Sequence, residues 1–598
     1  MSSPMELMQR ILQDGSIWCC TCTTRDMNYI ARRFEHEGDS FLTITLPTFT
    51  ADFERSLDEG GVAHASFPSF RRKRGLPLFL GGFLEQVFDR FSGRLLNDPS
   101  HTAIFFIRQI TLLFKKVLLD CSDERIRKAY ETYVQCENEV RDWSETVQLD
   151  LLDRFGRISD LLWGSDCSHL DRKVYDGHLV PRHGPGKTAD RTTGNGKFDF
   201  DTWHTRLEEY FPSGDYRIAN YGFQYVLDGV TFVEPEAEMP VKVVSVPKTL
   251  KTPRIIAIEP TCMQYTQQAL MEVIVPCLEQ SDTLQGAIGF TKQGPNQVLA
   301  RIGSEDGSLA TIDLSEASDR VSNLLVLRML RPYPHLSGAV QACRSTRANV
   351  PGFGNLSLAK FASMGSALCF PIEAMVFLTI ICVSYEQKLN RPLTKKDLNF
   401  LLRKVRVYGD DIIVPVDLVR HVVDNLVRYG LKVNTRKSFW TGRFRESCGK
   451  DYYGGSDVSV TYLRRYLPTQ RGNVREMISC YSFRNQLYRA GLWKTAEFLD
   501  NHLRRLAPLP TVAETSPVLG RNSFLGYETQ RICKTLHRPL VKGLVVSAPS
   551  PKSTISGEGA LLKFFLKRGP EPFQDVKHLE RYGRPLSVDI KTRWGPSA

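Results

Sequence analysis

Val405-Arg406-Val407-Tyr408-Gly409-Asp410-Asp411-Ile412-Ile413-Val414 reads as two short β-branched strands joined by a Gly-Asp-Asp tip. Gly409 supplies permissive backbone at the turn, and the flanking strands hold two adjacent carboxylates in fixed positions. A lone Asp-Asp between strands is ordinarily a solvated acidic turn. Two carboxylates pinned at one tip repel each other, and the arrangement makes sense when a divalent cation neutralises them. A hard cation such as Mg2+ takes few protein oxygens and leaves its other positions to water and phosphate, which suits phosphoryl or nucleotidyl transfer.

A second acid lies upstream. Leu309-Ala310-Thr311-Ile312-Asp313-Leu314 is an apolar run ending on Asp313, and Ser315 is predicted to N-cap a helix that starts with Glu316-Ala317-Ser318-Asp319-Arg320. A strand handing over to a helix is a common place to aim a functional side chain. If this strand lies beside the hairpin, Asp313, Asp410 and Asp411 converge. Three carboxylates hold two metal ions about 3.5–4 Å apart, one activating an attacking hydroxyl and one steadying a leaving group. Asp319, about a turn further on, either reaches a nucleotide sugar or answers the positive helix N-terminus, and position alone favours the second.

Three further blocks complete an ordered set. They are Lys248-Thr249-Leu250-Lys251-Thr252-Pro253-Arg254 running on to Pro260, then Ser363-Met364-Gly365, then Phe444-Arg445-Glu446-Ser447-Cys448-Gly449-Lys450. With all five in this order, over about 200 residues, the chain resembles a right-hand, template-dependent polymerase. More narrowly, it resembles the levivirus RNA-directed RNA polymerases, the replicase beta subunits of small positive-strand RNA bacteriophages. The polymerases of capsidless narnaviruses and mitoviruses are similar enough to stay open as a close alternative.

The resemblance implies an α+β right-hand fold with fingers, a palm of antiparallel sheet backed by helices, and a mostly helical thumb. Along the chain, residues 1–240 alternate amphipathic helices, such as Phe83 to Leu96 and Arg108 to Leu119, with loops, and suit an N-terminal extension and fingers. Residues 241–460 read as strand, helix and strand-turn-strand, and suit a palm with an inserted fingers segment. Residues 461–598 read as mostly helical with a basic, irregular end from Gly569, and suit a thumb and tail.

The resemblance also assigns residues. Asp313, Asp410 and Asp411 are the catalytic metal ligands for two Mg2+ ions, with Mn2+ as a substitute. Lys248, Lys251 and Arg254 suit a nucleotide triphosphate, Arg as a bidentate fork and Lys as a point charge, and the resemblance places them over it. Ser363 and Gly365 match residues that check the sugar and the template. Many phage replicases carry Asn after that glycine where this chain has Ser366, so Asp319 and Ser363 become the candidates for ribose selection. No Phe or Tyr lies between Asp313 and Asp319, which favours ribonucleotides over the deoxynucleotides of a reverse transcriptase. Lys437, following the hairpin, is the candidate general acid for the departing pyrophosphate, whereas Arg436 can only bind phosphate. The Phe444–Lys450 block reads as structural or as contacting the primer strand.

The chain has 598 residues, a formal charge of +12 and a 42% apolar fraction, which fits a multi-part globular protein with a polyanionic partner. Basic runs with aromatics nearby occur at Arg71–Arg74, Arg464-Arg465 and Lys563 to Arg568. The 14 scattered cysteines form no disulfide framework and point to a reducing cytosol; Cys19-Cys20-Thr21-Cys22 lacks the further ligands of a zinc site. The long apolar stretch after Gly365 contains Glu373 and reads as a buried helix, with no membrane span expected. His183-Gly184-Pro185-Gly186-Lys187-Thr188 imitates a phosphate-binding loop, but Pro181 stands where that motif needs glycine, and a mobile loop is expected.

The expected partners are template and product RNA and ribonucleoside triphosphates. The resemblance adds host elongation factors Tu and Ts, a ribosomal protein, and the cytoplasm of a bacterial host. Two other classes compete: a reverse transcriptase, and a non-catalytic RNA-binding protein whose Asp-Asp pair is only a turn.

Overall fold

The computed structural model describes residues 3–549, 553, 555, 557–566 and 587–598. Two large hydrophobic cores organise them. The first gathers the helices Leu149–Tyr175, Thr261–Glu279, Cys369–Leu389 and Val419–Arg428 around a small sheet. The second unites the helices Ser3–Trp18, Leu46–Glu59 and His101–Leu112 with Phe439, Phe444 and the helices Val474–Arg489 and Trp493–Arg504. The architecture is α+β.

The small sheet runs in the order Arg406–Tyr408, Asp411–Pro415, Leu309–Ile312, and every pairing is antiparallel. Val407, Ile412, Ile413 and Val414 are fully buried, so their β-branched side chains pack on both faces of the pleat. Behind the sheet lies Cys369–Leu389, apolar on all sides. Its mean hydropathy of 1.6 and its length would suit a membrane span, yet 89% of its apolar window is buried inside the protein, the behaviour of a central core helix.

A second sheet has the order Gly354–Ser357, Arg347–Val350, Val241–Val246, Arg254–Ile258. The hairpin between its last two strands carries Lys248 and Lys251 and opens onto Arg254. Proline at 247 and 253 removes two ladder donors and keeps this connection irregular.

Several expectations are corrected. Phe83 to Leu96 is not a helix: the helical turn Gly81–Leu84 ends, and Phe88 pairs with Leu95. The Asp89 carboxylate accepts from the backbone N–H of Phe91 (3.1 Å) and Ser92 (2.8 Å), and Gly93 follows at φ +71°. This side-chain turn outcompetes the helix ladder. Arg108 to Leu119 is helical only to Leu112, because Leu463 N–H donates to Leu113 O and Leu118 N–H to Arg464 O, drawing the segment out.

Ser315 caps nothing: it pairs with Lys432 in a short strand, and the helix Ala317–Arg320 begins after Glu316 at φ +54°. After residue 460 the described residues hold a sheet beside the helices Val474–Arg489, Trp493–Arg504 and Gly557–Leu566. The strand Pro539–Ser547 pairs with Val518–Leu519, Arg531–Ile532 and, residue for residue, with Asp589–Pro596. Residues Asp589–Pro596 are thus a strand rather than irregular. The remainder of the stretch from Gly569, to residue 586, lies outside the described residues, as do Lys567 and Arg568 of the third basic run. Lys563 of that run is buried and donates to Asn195 (2.7 Å), so it faces no channel.

Candidate active site

Tyr408 pairs with Asp411 across a two-residue turn, so the tip is Gly409-Asp410. Gly409 has φ +58°, and a Cβ there would stand 2.0 Å from the Phe370 ring, which itself packs edge-on to Tyr408 at 5.4 Å. Glycine is required on both counts. Gly409→Ala is expected to cost about 2–4 kcal/mol in denaturant unfolding, from the left-handed backbone and the displaced ring together. An unchanged unfolding midpoint would contradict this account of the turn.

The register Ile412↔Ile312 sets Asp313 beside Asp411 at the same end of the sheet. Asp410 projects to solvent from the tip. Burial raises the Asp411 pKa to about 6, the Asp410 charge adds to the rise, and the Cys448 N–H donated to Asp411 Oδ1 (3.2 Å) opposes it. Asp313 is likewise raised to about 6, first by burial and then by Glu446 and Asp410, against Lys437 and Asn434. The three acids named from the sequence do converge.

The segment after the hairpin wraps Asp313. Asn434 Nδ2 donates to Asp313 Oδ2 (2.8 Å), Asn434 N–H to Asp313 O (2.9 Å), and Asp313 N–H to Ser438 Oγ (3.1 Å). Lys437 Nζ stands 3.8 Å from Asp313 Oδ1. Burial works to lower its pKa, but Glu446, Asp313, Asp410 and Asp411 outweigh that and raise it. Glu446, on the strand Phe444–Ser447, is a fourth acid at the site that sequence reasoning missed. Its block is visible in sequence, but long-range ties bring that strand alongside: the bridge Thr311↔Phe439, Arg445 Nε donating to Leu309 O (2.6 Å), and Cys448 N–H donating to Asp411 Oδ1 (3.2 Å).

Among the described residues, no three His, Cys, Asp or Glu side chains are closed into a metal cage. The acids nevertheless suit a hard cation, which needs few protein oxygens. The pKa values of Asp313 and Asp411 are raised first by burial and then by neighbouring negative charge.

The predicted triphosphate cations sit at the mouth of this cleft. Burial, Arg254 and Lys437 lower the Lys248 pKa, while Asp410 and Asp313 oppose the shift, so Lys248 faces both the cations and the acids. Lys251 lines a cavity with Asn434, Arg436, Lys437 and Glu446. The hairpin is tied from behind: Arg125 donates to Leu250 O (2.8 Å) and Cys121 Sγ to Thr249 O (3.1 Å).

Asp319 does not serve a helix dipole. Its Oδ1 accepts from Lys360 Nζ at 3.0 Å, and Lys360 is completely buried, 3.7 Å from Glu137 Oε2 and 3.5 Å from the Tyr133 ring centroid. Tyr133 OH lies 2.9 Å from Ser363 Oγ. One buried network therefore joins the Asp313–Asp319 block to the Ser363–Gly365 block. Lys360, Glu137 and Tyr133 carried no sequence signal, since two of them come from a helix far upstream.

Gly365, at φ +136°, is pressed against the second sheet. Ala257 N–H donates to Met364 O (2.9 Å), and a Cβ on Gly365 would stand 1.9 Å from Ala257 O. Ser366 Oγ bonds Gln267 Oε1 (3.1 Å), so its hydroxyl faces the helix Thr261–Glu279 and not the cleft. The phosphate-loop imitation is pinned rather than mobile: Thr188 bonds Thr261 Oγ1 (2.8 Å), and Lys197 donates to Gly184 O (2.8 Å).

An antiparallel sheet carrying acids on a hairpin tip and on the adjoining strand end, with a core helix behind it, is the arrangement expected of a right-hand polymerase palm. Residues 233–495 match the sequence model of a family described as RNA replicase, beta-chain, and every candidate residue above lies in that span. The match makes this region similar to the RNA replicase beta chains.

The RNA-directed RNA polymerase subunit beta of Qbeta virus (strain MX1) is 34% identical over 285 residues, covering 47% of this chain and 44% of that protein. The RNA-directed RNA polymerase beta chain of Escherichia phage MS2 is 36% identical over 223 residues, 37% of each. The chain thus spans less than half the length of these relatives. A solved structure of the BmCPV RNA-dependent RNA polymerase at elongation state aligns over 60% of this chain and 34% of its own at 11% identity, with a TM-score of 0.36, too slight a likeness to argue from.

Proposed function

We propose that this chain is an RNA-directed RNA polymerase that copies a single-stranded phage RNA genome from ribonucleoside triphosphates. The observation that carries the reading is the convergence of Asp313, Asp410 and Asp411 at one end of the sheet, inside a region that matches the replicase beta chains. In this reading residues 1–240 form the N-terminal extension and fingers, 241–460 the palm with a fingers insertion, and 461–598 the thumb and tail.

Asp313, Asp410 and Asp411 would hold two Mg2+ ions, or Mn2+ in their place, with Glu446 beside them. Bound there, the ions would lower the pKa of the attacking hydroxyl and neutralise the pyrophosphate. Lys248, Lys251 and Arg254 bind the triphosphate from the hairpin above. Lys437, kept protonated by the surrounding carboxylates, holds its proton within reach of the departing pyrophosphate as general acid. Asp319, fixed by Lys360, and Ser363 present oxygens toward the sugar, while Gly365 lets the backbone approach. Ser366, turned away to Gln267, leaves ribose selection to Asp319 and Ser363. Host elongation factors Tu and Ts, a ribosomal protein and the bacterial cytoplasm complete the proposed setting.

Incorporation of labelled ribonucleotides on an RNA template, with Mg2+ and with chelator, tests the reading, using the chain alone and with host factors. Template-directed, Mg2+-dependent product supports it. Product from deoxynucleotides would move the chain to the reverse transcriptases, and RNA binding without synthesis in either preparation would favour the non-catalytic rival.

The acids also predict a pH dependence. Their folded pKa of about 6 exceeds the ordinary 3.8. Between those values the unfolded chain releases its protons first, so stability of the metal-free protein falls as pH rises through that window. Cation binding favours the ionised form. Calorimetry in buffers of different ionisation enthalpy is expected to show release of about one to two protons on Mg2+ binding at pH 5.5, and close to none at pH 7.5. Equal release at both values would argue against Asp313 and Asp411 as the ligands.

A further inference from the structure

The cavity that begins at the acids continues away from them. It encloses about 250 Å3 and is lined by Lys437 and Glu446, which neighbour the acids, and also by Thr43, Thr48, Lys115 and Tyr462. Two more cations stand at the Tyr462 ring: Lys116 Nζ lies 4.0 Å and the Arg464 guanidinium 5.8 Å from its centroid. Their spacing is fixed by backbone. Leu463 N–H donates to Leu113 O (2.8 Å) and Leu118 N–H to Arg464 O (3.0 Å), clamping the two segments that carry them.

The charge around this wall is unbalanced. Glu54 and Asp451 are both committed to the buried Arg108, at 2.8 Å each, and Asp313 faces Lys437. Among the described residues no carboxylate lies within 4.0 Å of Lys115, Lys116 or Arg464. Burial, with Arg464 and Lys115 as neighbours, lowers the Lys116 pKa to about 8, even though Glu446 and Asp451 pull the other way. Holding Lys116 and Arg464 at one aromatic ring, with Lys115 next to Lys116, costs free energy unless an anion joins them, and rigid backbone keeps them there.

We propose that this wall is a phosphate-chain subsite, in which Lys115 in the cavity lining and Lys116 and Arg464 at Tyr462 hold successive phosphates of a ligand whose reacting end lies at the acids. The subsite rests on the polymerase reading only for what happens at that inner end. Two sources supply the same chemistry: the backbone of an RNA strand, or the triphosphate of a nucleotide on its way in. Cations set along a wall, with an aromatic among them, match the way proteins track single-stranded nucleic acid.

The full-length chain is compared with a variant carrying Lys115→Gln, Lys116→Gln and Arg464→Gln. Binding of labelled oligouridylate is measured across a salt series, and the nucleotide KM in template-directed extension. If RNA backbone occupies the wall, the slope of log K against log salt falls by about 2, near 0.7 per lost phosphate contact on a single strand, with KM unchanged. If nucleotide occupies it, KM rises about tenfold and the slope holds.

Neither change in a folded variant overturns the proposal. So does an equal slope loss from Arg71→Gln with Arg74→Gln in the distant basic run, which would mark diffuse charge. Should the triple variant unfold, Arg464→Gln alone, at an exposed position, carries the test with a slope loss of about 0.7 or a raised KM, reversed by Arg464→Lys. RNA binding that depends on these cations in a chain making no product would retire the polymerase reading and leave the subsite standing.

Discussion

Asp411→Asn is expected to abolish RNA synthesis, by at least about 10³-fold in kcat, while leaving the fold intact. The scale follows from removing a metal ligand worth several kcal/mol in the transition state, at 1.36 kcal/mol per decade of rate. The fold should survive because asparagine is isosteric and its amide oxygen still accepts the Cys448 N–H that now meets Asp411 Oδ1. Asp411 is buried next to Asp410 and its pKa is raised, so its ionised form is a burden on the metal-free protein. Neutralising it should leave the unfolding midpoint at neutral pH unchanged or slightly higher. Extension assays beside denaturant unfolding separate the two effects. Synthesis by the variant within tenfold of the unaltered chain would sink the assignment of Asp411 to the metal.

Lys360→Met is expected to cost about 3–5 kcal/mol, the usual penalty for stripping one partner from a buried ion network. Methionine fills similar volume, so the loss is electrostatic: Asp319 and Glu137 stay behind without the ammonium that lies 3.0 and 3.7 Å from them. Adding Glu137→Gln should recover part of the loss, because the second uncompensated charge is then removed, although the Ala359 N–H still needs an acceptor at that position. Chemical denaturation of the single and double variants measures this coupling directly. A single variant as stable as the unaltered chain would mean that Asp319 and Glu137 are held by something other than Lys360.

The site was legible in sequence to the extent that its residues announce themselves locally. A β-branched run, a glycine and two acids specify the hairpin, and an apolar run ending in Asp313 specifies its neighbour. What brings them side by side is the pairing Ile412↔Ile312, which no local signal encodes. Glu446, Lys360 and Tyr133 were missed for the same reason: their relevance depends on strands and helices that meet across long separations. Failures outside the site have a different origin. Asp89 and Gly93 impose a turn on a sequence with helical composition. The strand Asp589–Pro596 lacks a clean alternation and is defined by its partner, Pro539–Ser547. Tertiary pairing overrode propensity in both that strand and the Leu314–Ser315 bridge.

The second hydrophobic core draws on Met5 to Val117 and then on Phe439 onward, with the whole first core threaded between. Closing a loop of roughly 320 residues costs about 5 kcal/mol of chain entropy before any of those contacts reward it. During synthesis at about 5–20 residues per second, the amino-terminal helices wait roughly 20–60 s for Phe439, Phe444 and the helices Val474–Arg489 and Trp493–Arg504 to emerge. Leu7, Ile11, Phe53 and Ile107, all fully buried in the finished protein, lack those later partners for that interval. Slow, chaperone-sensitive folding of the nascent chain is therefore written into the order in which its two cores are laid down.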